Sequence, residues 1–480
     1  MGSLPPPHGG DNGGRHHFVI FPFMSQGHTI PLLHLSRLLH TRRSAAVTLI
    51  TTPGNAAAIR AALHDLPAIS VVVLPFPDDI SGVPAGVENT HNLPSMAAFL
   101  PFAKSTKFMS AAFETALDNL RPPPSAVVSD AFLSWTLPAA ERRRIPRLAF
   151  FGMGAFSTLM HQILGREKPH RFVKSLDEPF SMPGFDHLKF TGNDFEPPFN
   201  AVDPAGEYFD FMSENLISVA QSFGVIKNTF YEFEKDFVDC WNEKIGPKAF
   251  CIGPLCLAAP PQEKTQLAGA ETAATAAAIE FLDGKLGEGV RVLYVSFGTQ
   301  AEVSGEQAAA IAAGLEAAGV SFLWVVRENW TSEFFGGFKE RTRGRGVVVE
   351  GWVDQVRVLN HGGVGWFLSH GGWNSVTESV AAAVPVVAMP VMADQHANAR
   401  FVAEVAAVGV RVMAEGGSVR GFVSAAEVER AVREVMEGGA AVRGRVAEWG
   451  AAARGAMEEG GSAIRALDRL IEEVGRYNKC

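Results

Sequence analysis

Two series of alternating strand and helix signals constrain this chain more than any other feature. In the first, the apolar, aromatic and β-branched runs HFVIFPF (17–23), AAVTLITTP (45–53), AISVVVLPFP (68–77), AVVSDAF (126–132) and RLAFFGM (147–153) read as buried strands. Helix-period segments such as PLLHLSRLLH and NAAAIRAALHDL lie between them. The second series is VRVLYVSF (290–297), SFLWVVR (321–327), GVVVEGWV (346–353), GVGWFLSH (363–370) and PVVAMP (385–390), with the helix QAAAIAAGLEAAG (307–319). Such alternation implies parallel sheets covered on both faces, an α/β chain. Between the series, CLAAPPQEKTQLAGAETAATAAA (256–278) is small, polar and Pro-containing, the composition of an interdomain linker. The expected division is a flexible leader over 1–16, a first domain over 17–255, the linker, a second domain over 279–458, and a terminal helix over 459–480. In that helix Ile464, Leu467, Ile471 and Val474 form an apolar stripe that must pack on something. Open parallel sheets bind ligands beyond the carboxyl ends of their strands. Two Rossmann-like halves facing across a cleft therefore suit a two-substrate enzyme.

Other classes are excluded by charge and by specific absences. The 480 residues carry a formal charge of −9, without the basic footprint of a nucleic-acid binder. Cys240, Cys251, Cys256 and Cys480 show no CxxC or metal-type spacing. A reducing, cytoplasmic setting fits that usage. No run of about 18 apolar residues is long enough for a membrane span, and the leader lacks the apolar core of a secretory signal. A monomer is expected. A dinucleotide-dependent oxidoreductase needs G-x-G-x-x-G after the first strand, and MSQGHT is not that.

The segment from Trp352 to Gln395 carries the most chemistry. SHGGWNS follows a strand and opens a helix, where unpaired amides and close-approach glycines suit phosphate. His370, Asn374 and Ser375 can add donors. Equally, Ser375 and Glu378 fit an S-x-x-E capping box. Trp352 follows a strand, where its indole can stack on a base or simply pack in the core. Asp394 and Gln395 follow PVVAMP, placed to meet sugar hydroxyls or to sit in a solvated loop.

The order and spacing of Trp352, Gln355, His370, Gly372, Trp373, Asn374, Ser375, Glu378, Pro385, Pro390, Asp394 and Gln395 resemble the signature of plant secondary-product UDP-dependent glycosyltransferases, family 1, inverting, with the GT-B fold. The resemblance implies that Trp352 stacks on uracil and the Val353 backbone meets its edge. It implies Gln355 and Glu378 at the ribose, and His370, Asn374, Ser375 and Thr299 at the diphosphate. Trp373, Asp394 and Gln395 would surround the sugar, with Gln395 of the glucose-preferring type. The chain departs from the pattern with WVDQ for the commoner WAPQ, HGGWNS for HCGWNS, Met389 for a frequent Trp and Trp366 for a frequent Gly.

In the first half, His28 lies between the first strand and its helix, and Asp130 ends the strand AVVSD. Both stand at strand carboxyl ends and can face the cleft. A neutral His can take a hydroxyl proton, and a carboxylate behind it can fix the tautomer. The stretch FPFMSQGHTIPLLHL resembles the family's N-terminal region, which implies His28 as base and Asp130 as its orienting partner. The implied reaction is one in-line displacement from UDP-glucose to a small acceptor, with inversion and with neither metal nor cofactor. Consistently, no D-x-D sequence suggests a diphosphate-bound cation. Met24, Phe132, Phe151 and Phe156, with the 81–105 loop as rim, are the expected acceptor wall, suited to a flat phenolic such as a flavonoid. Glucosylation of a ring carbon, and a terpenoid or hormone acceptor, remain open at this stage.

Overall fold

The computed structural model describes residues 16–258, 272–326 and 332–479. The expected leader, apart from its last residue His16, most of the linker and Arg327 lie outside them. The first half contributes strands β1 (His17–Phe21), β2 (Ala46–Thr51), β3 (Ser70–Val73), β4 (Ala126–Asp130) and β5 (Arg147–Phe151). It also contains the hairpin β6 (Phe180–Met182) and β7 (Phe185–Phe190), and strands β8 (Gly224–Lys227) and β9 (Ala249–Cys251). The second half contributes β10 (Val292–Ser296), β11 (Phe322–Val326), β12 (Gly346–Glu350), β13 (Val364–Ser369), β14 (Val386–Ala388) and β15 (Gly409–Arg411). The sheet orders are β3-β2-β1-β4-β5-β8-β9 and β12-β11-β10-β13-β14-β15, and every pair within them is parallel.

Strand periodicity explains the layering. Along β1, Phe18 and Ile20 pack with Leu32 and Leu35 on one face, and Val19 and Phe21 with Phe102 and Phe113 on the other. Along β10, Leu293 and Val295 meet Ile311 and Leu315, while Val292 and Tyr294 meet Val358 and Leu359. In both sheets the strand order reverses beside the first strand, between β1 and β4 and between β10 and β13. Ligands bind at such switch points.

The halves join through an apolar seam. Phe233 and Phe156 of the first half pack on Phe401 of the second at 4.9 and 5.5 Å between ring centres. The expected linker is narrower than its composition suggested. Cys256 belongs to a 3₁₀ turn, Leu255–Leu257, and helix Ala273–Gly287 begins after its N-cap Thr272. The alanines read as linker are good helix formers once capped. The last helix, Ser462–Tyr477, returns to the first half, where Asp468 receives Arg43 Nε at 2.5 Å and Glu473 receives Lys248 Nζ. Its inner stripe uses Leu470, with Ile471 only half-buried. Among the described residues, no helix is long and apolar enough to cross a membrane.

Candidate active site at the interdomain cleft

His28 sits in the first turn of helix Gln26–Arg43, not in a loop, because extended Ser25 starts that helix immediately after Met24. Its Nδ1 lies 2.7 Å from Asp130 Oδ2 at the end of β4. The two residues are thus joined across the switch point of the first sheet. His28 is partly exposed at 22%, while the Asp130 side chain is 1% exposed. Asp130 Oδ1 also accepts the Phe132 amide at 2.9 Å. With Oδ2 at His28, both carboxylate oxygens are occupied and the carboxylate cannot swing away. Burial disfavours the His28 imidazolium, but the Asp130 charge and hydrogen bond outweigh it, with Asp394 adding to them, so its pKa lies above the ordinary 6.5. Asp130 bonding to Nδ1 leaves Nε2 as the atom to receive a proton.

Sequence reasoning missed the support beneath this pair. Arg147 is fully buried, and donates to the Asp130 carbonyl at 3.1 Å, Ser129 Oγ at 2.9 Å and Ser222 Oγ at 2.6 Å. Burial pulls its pKa down to about 10 against the charge of Asp130. The available signal was a charged residue opening an apolar strand run.

In the second half, the Trp352–Gln395 residues gather around β12, β13 and β14. Gln355 donates from Nε2 to Glu378 Oε2 at 2.7 Å and to Ser375 Oγ at 3.0 Å, while Tyr294 Oη donates to its Oε1 at 3.3 Å. The capping box of Ser375 and Glu378 does not form. Helix Trp373–Ala381 has Gly372 as its N-cap, which places both residues inside it. Burial raises the Glu378 pKa to about 7, opposed by the Gln355 hydrogen bond. Trp352 is 36% exposed and Val353 is buried.

Two departures from the family pattern have local reasons. Asp354 caps the helix carrying Gln355 by accepting the Arg357 amide at 3.0 Å, and its own amide donates to Thr275 Oγ1 at 3.1 Å. Proline has no amide to give. Gly371 has φ +75°, a conformation glycine adopts without strain. Met389 and Trp366 fill the core of the second sheet.

The expected phosphate residues stand at the switch point of that sheet. The His370 ring is confined by two glycines: a Cβ on Gly298 would lie 2.8 Å from it, and one on Gly372 2.5 Å. Thr299 is in the turn after β10, beside Gly298. Asn374 spends its amide across the cleft, donating to the Gly27 carbonyl at 2.6 Å and accepting from Asn228 at 3.1 Å. Trp373 is 3% exposed and its indole donates to the Asn228 carbonyl at 2.8 Å, so its ring belongs to the seam and not to an open sugar site. Gln300, also missed, donates to Ser25 Oγ at 2.9 Å and to Thr90 Oγ1, tying the β10 turn to the first half.

Asp394 follows Ala393, held at φ +55°, and accepts from Asn398 Nδ2 at 2.9 Å. Burial raises its carboxyl pKa, with the His28 charge opposing. Gln395 uses Oε1 to accept the Val391 and Met392 amides at 2.9 and 3.0 Å. On the acceptor side the expected wall divides. The Phe132 ring lies 5.3 Å from His28 and touches Phe23, Phe99 and Phe211. Met24 is buried in that aromatic cluster, and its carbonyl accepts the Thr90 amide of the 81–105 segment at 2.9 Å. Phe156 is instead core, packed on Phe190, Phe237 and Phe401. Phe151 is also buried, under Lys227 Nζ at 4.7 Å. Phe151 ends β5 and Phe156 opens the helix after it, both in apolar layers, a placement their sequence pattern shares with a pocket wall.

Residues 272–441 match the family model described as UDP-glucoronosyl and UDP-glucosyl transferase. The chain is 43% identical over 448 residues to UDP-glycosyltransferase 90A1 of Arabidopsis thaliana, covering 90% of this chain and 91% of that protein. Its fold is similar to UGT73P12 of Glycyrrhiza uralensis, solved with glycyrrhetinic acid 3-O-monoglucuronide (TM-score 0.87, 27% identity, 97% and 96% of the two chains). It is also similar to UGT2 of Phytolacca americana, solved with UDP-2fluoro-glucose and pterostilbene (TM-score 0.74, 27% identity, 96% and 99%). With two doubly wound halves, this chain belongs to the plant family 1 UDP-glycosyltransferases of GT-B fold, enzymes that transfer a sugar from a UDP-sugar to an acceptor.

Proposed function

We propose that the protein transfers glucose from UDP-glucose to a hydroxyl of a small phenolic, with inversion and without a metal. The observation that carries this reading is His28, fixed through Nδ1 by Asp130 at 2.7 Å at the mouth of the cleft. Nε2 takes the acceptor proton as the oxygen attacks the anomeric carbon, and the C–O bond to UDP breaks on the opposite face. Asp130 does not touch substrate. It holds the ring and stabilises the imidazolium as it forms. The departing diphosphate charge falls at the amino end of helix Trp373–Ala381 beside His370, where oriented amides and the helix dipole favour an anion. Trp352, with an exposed indole, offers a face for uracil, and Gln355 with Glu378 offers acceptors and donors for ribose hydroxyls. The aromatic cluster of Phe23, Phe99, Phe132 and Phe211 beside His28 favours a flat, apolar acceptor.

The test is an assay of UDP-glucose against flavonoids, stilbenes, terpenoids and hormones, with and without EDTA, the products identified by mass spectrometry and NMR. The expected outcome is an acid-labile β-glucoside of a phenol, formed equally with EDTA. An α-product, a carbon-linked glucoside or transfer confined to non-aromatic acceptors contradicts the respective element of the proposal.

A further inference from the structure

We infer that Asn215 recognises the acceptor: its side-chain amide meets a second oxygen, a hydroxyl or carbonyl, on an aromatic acceptor whose reacting hydroxyl lies at His28. This rests on His28 being the base. Asn215 lies in helix Glu207–Gln221, whose buried stripe runs Phe211, Asn215, Ser218 and on to the C-cap Ser222. At the lower end, Ser218 and Ser222 receive the Arg147 guanidinium, which sits beneath Asp130. At the upper end, Phe211 packs at 5.8 Å on Phe132, the ring that flanks His28. Asn215 is one turn from each, about 6 Å along the axis from Phe211. It is therefore set between the ring that flanks His28 and the guanidinium beneath Asp130.

Its chemistry is out of place there. Asn215 is 1% exposed, and among the described residues neither Oδ1 nor Nδ2 has a hydrogen-bond partner. A buried amide unpaired at both ends is costly. The helix carries apolar Leu216 and Val219 nearby without difficulty. An amide has donors and an acceptor, so a hydroxyl satisfies it in either sense and a carbonyl satisfies its N–H. The acceptor class that follows is an aromatic with oxygens at two separated positions.

The test compares kcat/KM of wild type and Asn215→Leu with UDP-glucose and two acceptor pairs, hydroxybiphenyl against dihydroxybiphenyl and naphthol against dihydroxynaphthalene. Wild type should favour the dihydroxy member of at least one pair by about tenfold beyond the statistical doubling. The leucine variant should lose that preference while keeping its monohydroxy turnover, UDP affinity and thermal midpoint. Equal losses on both members would mark a structural role and overturn the inference, as would an unchanged ratio or a wild type without preference. A wild type active on none of the four contradicts the reading of His28 and the phenolic pocket instead. If the leucine variant does not fold, Asn215→Ser carries the same comparison.

Discussion

The two halves build their shares of the site in opposite ways. In the second half the proposed donor-side groups, Thr299 apart, come from one continuous stretch, Trp352 to Gln395, and three of them satisfy each other, Gln355 donating to both Ser375 and Glu378. In the first half the proposed base, its carboxylate, the guanidinium beneath and the ring beside them come from positions 28, 130, 147 and 132, on the first helix, on β4 and the turn after it, and on β5. One run of chain therefore carries most of the second half's groups, whereas those of the first half are brought together only by the fold.

Substitutions can break or sharpen this contrast. The largest effect belongs to the first half: His28→Ala should lower kcat by about a thousandfold, the order expected for removing a positioned base, with UDP affinity retained by calorimetry. Near-normal turnover would remove His28 from the chemistry. A smaller effect is expected in the second half, where Glu378→Gln should weaken UDP binding by about tenfold through the ribose. Its stability should move the other way. The Glu378 pKa is raised from 4.5 to about 7, so its protonated form favours the fold, and that contribution is present below pH 4.5 and lost as pH rises through about 7. The glutamine variant, uncharged throughout, should be the more stable protein at pH 8 by thermal denaturation. Unchanged UDP affinity would confine Glu378 to a structural role.

The contrast also explains what could be read without the structure. The alternation of strands and helices exposed both sheets, because strands buried on both faces are apolar throughout. The short β8, β9 and β15 and the β6–β7 hairpin escaped notice, since three to six residues carry little periodicity. The order of the proposed donor residues is legible because their spacing is local. The direction of the Trp373 indole, which donates to the Asn228 carbonyl in the seam, is not, for spacing says nothing of which way an indole turns. Phe151 and Phe156 were misread because an aromatic in the core and one in a pocket wall have the same sequence pattern. Arg147 and Asn215 carry no readable signal beyond a polar residue in an apolar context, and Gln300 none at all: the partners of Arg147 lie on neighbouring elements and those of Gln300 more than two hundred residues away, while Asn215 stands out only because its buried amide is unpaired.

The pH dependence of kcat/KM at saturating UDP-sugar, for wild type and Asp130→Asn, tests the central claim most directly. Wild-type rate should rise with pH and level off, with an inflection above 6.5, because the Asp130 carboxylate lifts the His28 pKa against the opposing effect of burial. In Asp130→Asn burial remains and the charge is gone, so the inflection should move to lower pH while the plateau falls. An inflection that does not move, or a rate independent of pH across this range, would contradict the account.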